Sequence, residues 1–283
     1  MECMLERRER QLARTARVSG RAVARTLLRA SLYALLLGPI AVLALYAGSS
    51  GWFFPDVLPA KWSLGPLARQ LANDDTREAL SASLGIAISV TALALALGLP
   101  AARTIGLRRF RGRSLALLAL LLPNLVPPLA TGMGLNILFL RLGLDGSALG
   151  VILVHLMSAL PYAVLVLLGV FARYDEGYEQ QARTLGAGPL RVFLRVTLPL
   201  VGPGVAVAAL FAFLVSWSQY VLTLLIGGGR VITLPMLLFA AVSGGNPATI
   251  ATLALVFAAP PLIAIALAAR ALAGGATPVG QHV

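Results

Sequence analysis

The sequence predicts an all-α, polytopic membrane protein with six transmembrane helices, and three observations carry that prediction. Hydrophobic residues make up 58% of the 283-residue chain and charged residues only 12%, whereas a soluble domain carries about a quarter charged residues. The mean hydropathy is +0.86. The apolar residues gather into six runs, each near or above the ~20 residues a helix needs to cross a bilayer. Charge then divides between alternate connecting segments. One set (1–29, 103–113, 173–195 and Arg270) holds eighteen arginines against six acids, and the other holds five basic against five acidic residues. The whole net charge of +12 therefore falls on one side, which is the positive-inside pattern with both termini in the cytoplasm. Topology accounts for the basic character, so no nucleic-acid partner is implied. The one cysteine, Cys3, allows no internal disulfide.

Residues 1–29 form a basic cytoplasmic segment, either a helix lying on anionic headgroups or a solvated tail that sets topology. The first span is 30–48. A long charged stretch before it and no clear cleavage site after it argue against a signal peptide. Trp52, Phe53 and Phe54 suit the outer aromatic belt. The extracytoplasmic loop is 49–79, in which Asp75 and Glu78 have the spacing of a capping box. A five-span core follows over 80–270, with 271–283 as a short cytoplasmic tail.

Within that core the second span covers 81–102, and the basic turn RTIGLRRFRGR follows it. The third, 114–140, contains LLPNLVPPLATGMGLN. Pro123, Pro127 and Pro128 remove backbone donors, so this span is broken in the middle, an irregularity tolerated where protein or a cavity covers it. Asn124 and Asn136 either repair that break or line a pathway. The fourth span, 148–172, carries His155, and no span holds an acid that would serve it as an ionic relay partner. An interhelical hydrogen bond is the simpler role. The fifth span, 198–226, has Pro199 and Pro203 in its first turns, where missing donors cost least. Its Ser216, Gln219, Tyr220 and Thr223 recur at i, i+3, i+4 and i+7, one face of a helix. A polar stripe at that depth faces a partner helix or lines a pore. Residues 227–247 form a glycine-rich outside loop around an apolar piece, and the sixth span is 248–269.

Between spans four and five lies the polar stretch 178–199, YEQQARTLGAGPLRVFLRVTLP. Residues 179–185 favour a helix, Gly186-Ala187-Gly188-Pro189 turns it, and 190–196 starts a second short helix that runs to Leu198-Pro199. This stretch resembles the cytoplasmic coupling motif of the permease subunits of binding-protein-dependent ABC importers: E-A-A, three residues, G, nine residues, I-x-L-P. Gln180, Gln181 and Ala182 occupy the E-A-A places, Gly186 is the glycine, and Val196-Thr197-Leu198-Pro199 complete the motif. The acidic place holds a glutamine, with Glu179 one residue earlier. Looser resemblance extends from about 80 to 270.

The resemblance implies a MetI-like permease in the cytoplasmic inner membrane. It implies that Glu179, Gln180, Gln181, Ala182, Gly186, Leu198 and Pro199 couple to a cytoplasmic ABC ATPase dimer, and that ATP and Mg are held by that partner, with no cofactor on this chain. It also implies a second permease subunit, a different chain in preference to an identical one, and an extracytoplasmic solute-binding protein. Ser216, Gln219, Tyr220, Thr223 and Asn124 would then line the pathway or gate. The look of the sequence after the fourth span favours a small polar solute of polyamine type over a sugar.

Enzyme chemistry finds little support. Lys61 is the only lysine, so no phosphate-binding GxxxxGK loop exists here. There is no metal-ligand spacing, and no carboxylate pair lies within a span. The rival is an ion-gradient-driven secondary carrier, which would call for buried acids or an internal repeat.

Overall fold

The computed structural model describes the backbone of residues 2–49, 52 and 61–274, and side chains from Arg25 onward. The chain divides into two compact units, one formed by residues 1–68 with 247–255, the other by 69–246 with 256–283.

In the first unit a single helix, α1 (Glu2–Ala47), runs without a break through the basic segment into the first apolar run and has Pro39 inside it. The part long and apolar enough to cross a membrane is Arg25–Ala47. After α1 the chain doubles back: Ser63 N donates to Gly48 O at 3.0 Å, and the Tyr46 and Trp52 rings stack 4.1 Å apart. Phe53 and Phe54, the other members of the expected aromatic belt, lie outside the described residues, as do the side chain of Cys3 and the tail beyond Gly274.

Helix α2 (Gly65–Ala72) leads from the first unit into the second, which contains the long α3 (Asp74–Leu107). The cap of α3 is Asn73, whose Oδ1 accepts the Thr76 N–H at 3.1 Å, and not the expected Asp75–Glu78 box. Asn is as good a cap as Asp, and Asp74 and Asp75 then sit in the first turn, where negative charge meets the positive end of the helix dipole. The helix thus starts before the membrane run and includes the whole second span.

The third span is broken as its prolines predict. Helices α4 (Arg113–Leu125) and α5 (Pro128–Leu142) meet at 98°. Val126 is held extended by the following Pro127, and Pro128 opens α5, where its missing N–H costs nothing. The fourth span is α6 (Ala148–Phe171), capped by Ser147 through the Gly150 N–H at 3.0 Å. The connection to the fifth span is built from α7 (Gly177–Thr184), α8 (Pro189–Val192) and a π turn over Phe193–Thr197, which leads directly into α9 (Leu198–Trp217). The last elements are α10 (Val221–Gly227), α11 (Leu234–Ser243) within the expected outside loop, and α12 (Pro247–Gly274).

Among the described residues five helices are long and apolar enough to span a bilayer, and there are six spans if the bent α4–α5 pair is counted as one. The core of the second unit is made by α3, α6 and α9: Val90 and Ala94, Val154, Val164 and Leu167, and Val201, Ala208 and Ala212 pack together with almost no exposure. Small residues let these helices approach closely. Gly98 faces Ala163 and Val164, and a Cβ on Gly204 would overlap Val170. This three-helix core is the platform on which the polar sites below are mounted.

Candidate coupling element and membrane-embedded polar cluster

The helix α7 ends in a Schellman turn, in which the N–H of Gly186 donates to Arg183 O at 2.9 Å and that of Ala187 to Ala182 O at 3.1 Å. Gly186 occupies the left-handed position with φ +83°, which a residue lacking Cβ adopts without strain. Pro189 then opens α8. Helix α9 begins at Leu198 with Pro199 in its first turn, as the sequence suggested, but nothing separates it from the helix before it. The chain is helical without a break from Pro189 to Trp217, and the π turn carries it past Pro199, with the Leu198 N–H donating to Phe193 O. Pro199 offers no N–H to Arg195 O and its ring crowds that carbonyl. A locally wider turn relieves both problems.

The side chains of this element sort cleanly. Gln180 and Gln181 are exposed, and Leu185 and Leu190 at the tip are 88% and 70% exposed. Glu179 is turned inward and only 4% exposed. Its Oε2 accepts from an Arg103 guanidinium nitrogen at 2.7 Å, and Arg183 lies at 3.6 Å. Its Oε1 accepts from the Tyr174 hydroxyl at 2.9 Å and the Thr197 hydroxyl at 2.8 Å. Burial alone would raise the carboxyl pKa. The hydrogen bonds from Thr197, Arg103 and Tyr174, with the Arg103 charge, outweigh that and hold it below its ordinary value. Tyr174 moves the other way: burial and the neighbouring carboxylate push the phenol up, against the Thr197 contact and the Arg103 charge.

The fifth span differs from expectation at its far end. Helix α9 stops at Trp217 and α10 starts at Val221, so Ser216, Gln219, Tyr220 and Thr223 do not share one helical face. Ser216 and Thr223 are buried and converge on His155 of α6. Ser216 Oγ lies 3.0 Å from Nδ1 and Thr223 Oγ1 lies 2.9 Å from Nε2. Thr223 also donates its proton to Gln219 O at 3.1 Å, which leaves its oxygen to accept from Nε2–H. Trp217 packs between Phe213 and Phe257 and donates to Phe257 O at 3.1 Å. Tyr220, half-buried at the break, stacks on Phe239 at 4.3 Å. Gln219 is half-buried beside it.

In the broken third span the two asparagines separate. Asn136 Nδ2 donates to Leu225 O at 2.7 Å and to Asp145 at 3.2 Å, which ties α5 to α10. Asn124 is exposed and reaches Ser158 O at 3.3 Å. Among the described residues, no group of His, Cys, Asp and Glu could hold a metal ion.

Residues 98–274 match the family model described as the binding-protein-dependent transport system inner membrane component. This chain belongs to that family of ABC importer permeases. The permease is 31% identical over 223 residues to the putrescine transport system permease protein PotI of Escherichia coli K12, covering 76% of this chain and 79% of that one. It is 33% identical over 239 residues to the molybdenum transport system permease protein ModB of Mycobacterium bovis, covering 78% and 85%. Its fold matches a solved bacterial ABC transporter involved in alginate import, with a TM-score of 0.69 at 18% identity over 88% of this chain and 95% of the other.

In the permease the motif residues 178–199 fold into one compact element. The partners of Glu179 (Arg103, Tyr174 and Thr197) were not singled out by sequence reasoning, and neither were the two hydroxyls on His155 as its partners. Arg103 stands 76 residues from Glu179 and reads in the sequence as one more topogenic arginine. The one available signal was Glu179 itself, an acid displaced by one residue from the place where the motif puts its charge.

Proposed function

We propose that this permease pairs with a second permease subunit to form the solute pathway of an importer in the cytoplasmic membrane. Residues 178–199 couple that pathway to a cytoplasmic ATPase dimer, which holds ATP and Mg, and an extracytoplasmic binding protein delivers the solute. The observation that carries this reading is the division of the coupling element into two sides. Leu185 and Leu190 are presented outward at its tip, while the inward side is anchored by Glu179 to α3 and to the foot of α9. An apolar tip on a firmly held base suits a small interface that transmits force. Closure of the ATPase dimer brings the two coupling elements together, and the spans rock between inward- and outward-facing states as rigid bodies.

Gln219 and Tyr220 at the α9–α10 break, with Asn124 in the bent third span, are the groups proposed to meet solute. Ser216 and Thr223 hold the break in place through His155. The solute proposed is small and polar, of polyamine type in preference to a sugar. Support comes from the putrescine permease, which aligns over 76% of this chain, against 52% for a trehalose permease of Mycobacterium tuberculosis. The molybdenum relative aligns over 78%, so molybdate is the second solute to test.

Reconstitution decides the matter. The permease, with its ATPase and binding protein in proteoliposomes, is expected to take up labelled putrescine only when ATP is supplied. Leu185→Asp is expected to lose the ATPase on co-purification. Uptake by the chain alone, driven by a proton or sodium gradient without ATP, would overturn the importer reading. Uptake of molybdate in place of putrescine would reassign the solute.

A further inference from the structure

We propose that Glu179 is a positioning residue: its buried carboxylate locks the coupling element to α3 and to the π turn at the foot of α9, so that a displacement of the element reaches both helices together. This rests on the docking reading above and adds the route by which motion leaves the docked element.

The first support is what α7 lacks. It is eight residues long, shorter than a helix that is stable unaided in water, and an apolar face would ordinarily hold such a helix to its protein. Yet Glu179 is the only buried residue of α7. Its one buried side chain is held by a charge and hydrogen bonds, while Tyr178 only lines the groove beside Val166, Val170 and Leu200. The deepest side-chain route for force applied to α7 is therefore the carboxylate.

The second support is where the bonds go. The oxygens of Glu179 are shared among three segments: Arg103 on α3, 76 residues away, Tyr174 in the turn after α6, and Thr197 in the π turn, 18 residues on. Tyr174 and Thr197 also approach each other at 3.5 Å, so the node is closed on itself. Helices α3 and α9 belong to the packed core with α6. A push on α7 is thereby delivered to two core helices at once. The π turn adds to this, because Thr197, fully buried, sits where the α-helical ladder is already interrupted before Pro199. Such a turn is a place where a helix changes direction at low cost. The glutamines in the motif's own E-A places face outward, so the two jobs are divided: the exposed side meets a partner and Glu179 holds the base.

The test uses the assembled permease–ATPase complex with its binding protein in proteoliposomes, and it measures solute moved per ATP hydrolysed. Glu179→Gln keeps the shape and removes the charge. The expected result is that the ATPase still co-purifies with the permease while solute moved per ATP falls at least tenfold. Arg103→Met is expected to do the same, and the double variant to be no worse than either single one, because both break one tie. A merely structural role would lower the yield of complex and leave the ratio unchanged, with the two effects multiplying in the double variant. If Glu179→Gln assembles poorly, Thr197→Val removes one donor while keeping the Arg103 pair, and a severalfold fall in the same ratio is expected. A wild-type ratio in Thr197→Val and Arg103→Met overturns the proposal. Loss of ATPase co-purification in Glu179→Gln with unchanged thermal stability also overturns it, by placing Glu179 at the partner surface. Retention of the ATPase by Leu185→Asp would instead remove the docking reading beneath it.

Discussion

Substitution of Gly186 separates backbone geometry from surface contact in the coupling element. At φ +83°, an L-residue pays roughly 1–2 kcal/mol to adopt the left-handed conformation. A Cβ built at this position meets no atom within 4 Å, so within the chain the cost is backbone strain alone. Alanine is placed near 1 kcal/mol and a β-branched valine near 2. At about 1.4 kcal/mol per tenfold, the equilibrium constant for forming the native turn falls about fivefold for Gly186→Ala and about thirtyfold for Gly186→Val. Asparagine tolerates this conformation and is expected to stay close to wild type. Aspartate shares that tolerance but sets a negative charge on the tip between Leu185 and Leu190. Gly186→Asp should then abolish ATPase binding and transport while leaving the membrane fold intact. The assay is ATPase co-purification together with ATP-dependent uptake across the series Gly, Asn, Ala, Val and Asp. Full transport by Gly186→Val would refute the strain argument. Asparagine as damaging as valine would also refute it, and would locate the constraint in a partner that excludes any side chain.

Three further outcomes are expected. His155→Ala removes the common partner of Ser216 and Thr223 and leaves a cavity in the core. Intramembrane hydrogen bonds contribute modestly, so the loss is about 1–3 kcal/mol, read as a lower unfolding temperature in lipid with partial recovery in His155→Gln; an unchanged temperature would show that the cluster contributes nothing. The carboxyl of Glu179 has a lowered pKa in the folded protein, so its stabilisation is fully present above its ordinary value of 4.5 and is lost as pH falls below that value and through the lowered one. Wild type should therefore lose thermal stability on acidification through this window relative to Glu179→Gln. Matching pH profiles for the two proteins would contradict this. Finally, single cysteines at Ser63 and Ser243, in a background lacking Cys3, should react with an impermeant thiol reagent from outside intact cells. Labelling only after lysis would invert the topology.

Composition and pattern alone determined that this is a helical membrane protein, because the bilayer acts on every residue in a run and leaves a long, local record. Residues 178–199 are legible for a similar reason: a glycine forced into the left-handed region and a Leu-Pro pair are local backbone demands. The break in the third span was readable too, since Pro127 and Pro128 remove two successive backbone donors and bias Val126 away from the helical region, although the pair Pro260-Pro261 is carried inside α12. The break in the fifth span was not readable. Nothing between Trp217 and Val221 forbids a helix, and the polar residues there fit a helical period. The chain departs from that period because Ser216 and Thr223 each find a nitrogen of His155, more than 60 residues away in sequence. Helix α10 is held in addition by Asn136. Pro199 was placed correctly in the first turn of the fifth span, but the sequence did not show that the chain stays helical ahead of it, through a π turn whose buried Thr197 also serves Glu179. In each case the deciding term is the satisfaction of a buried polar group by a partner distant in sequence. A desolvated donor or acceptor gains far more from such a partner than local propensity can offer, and the partner exists only once the helices have packed.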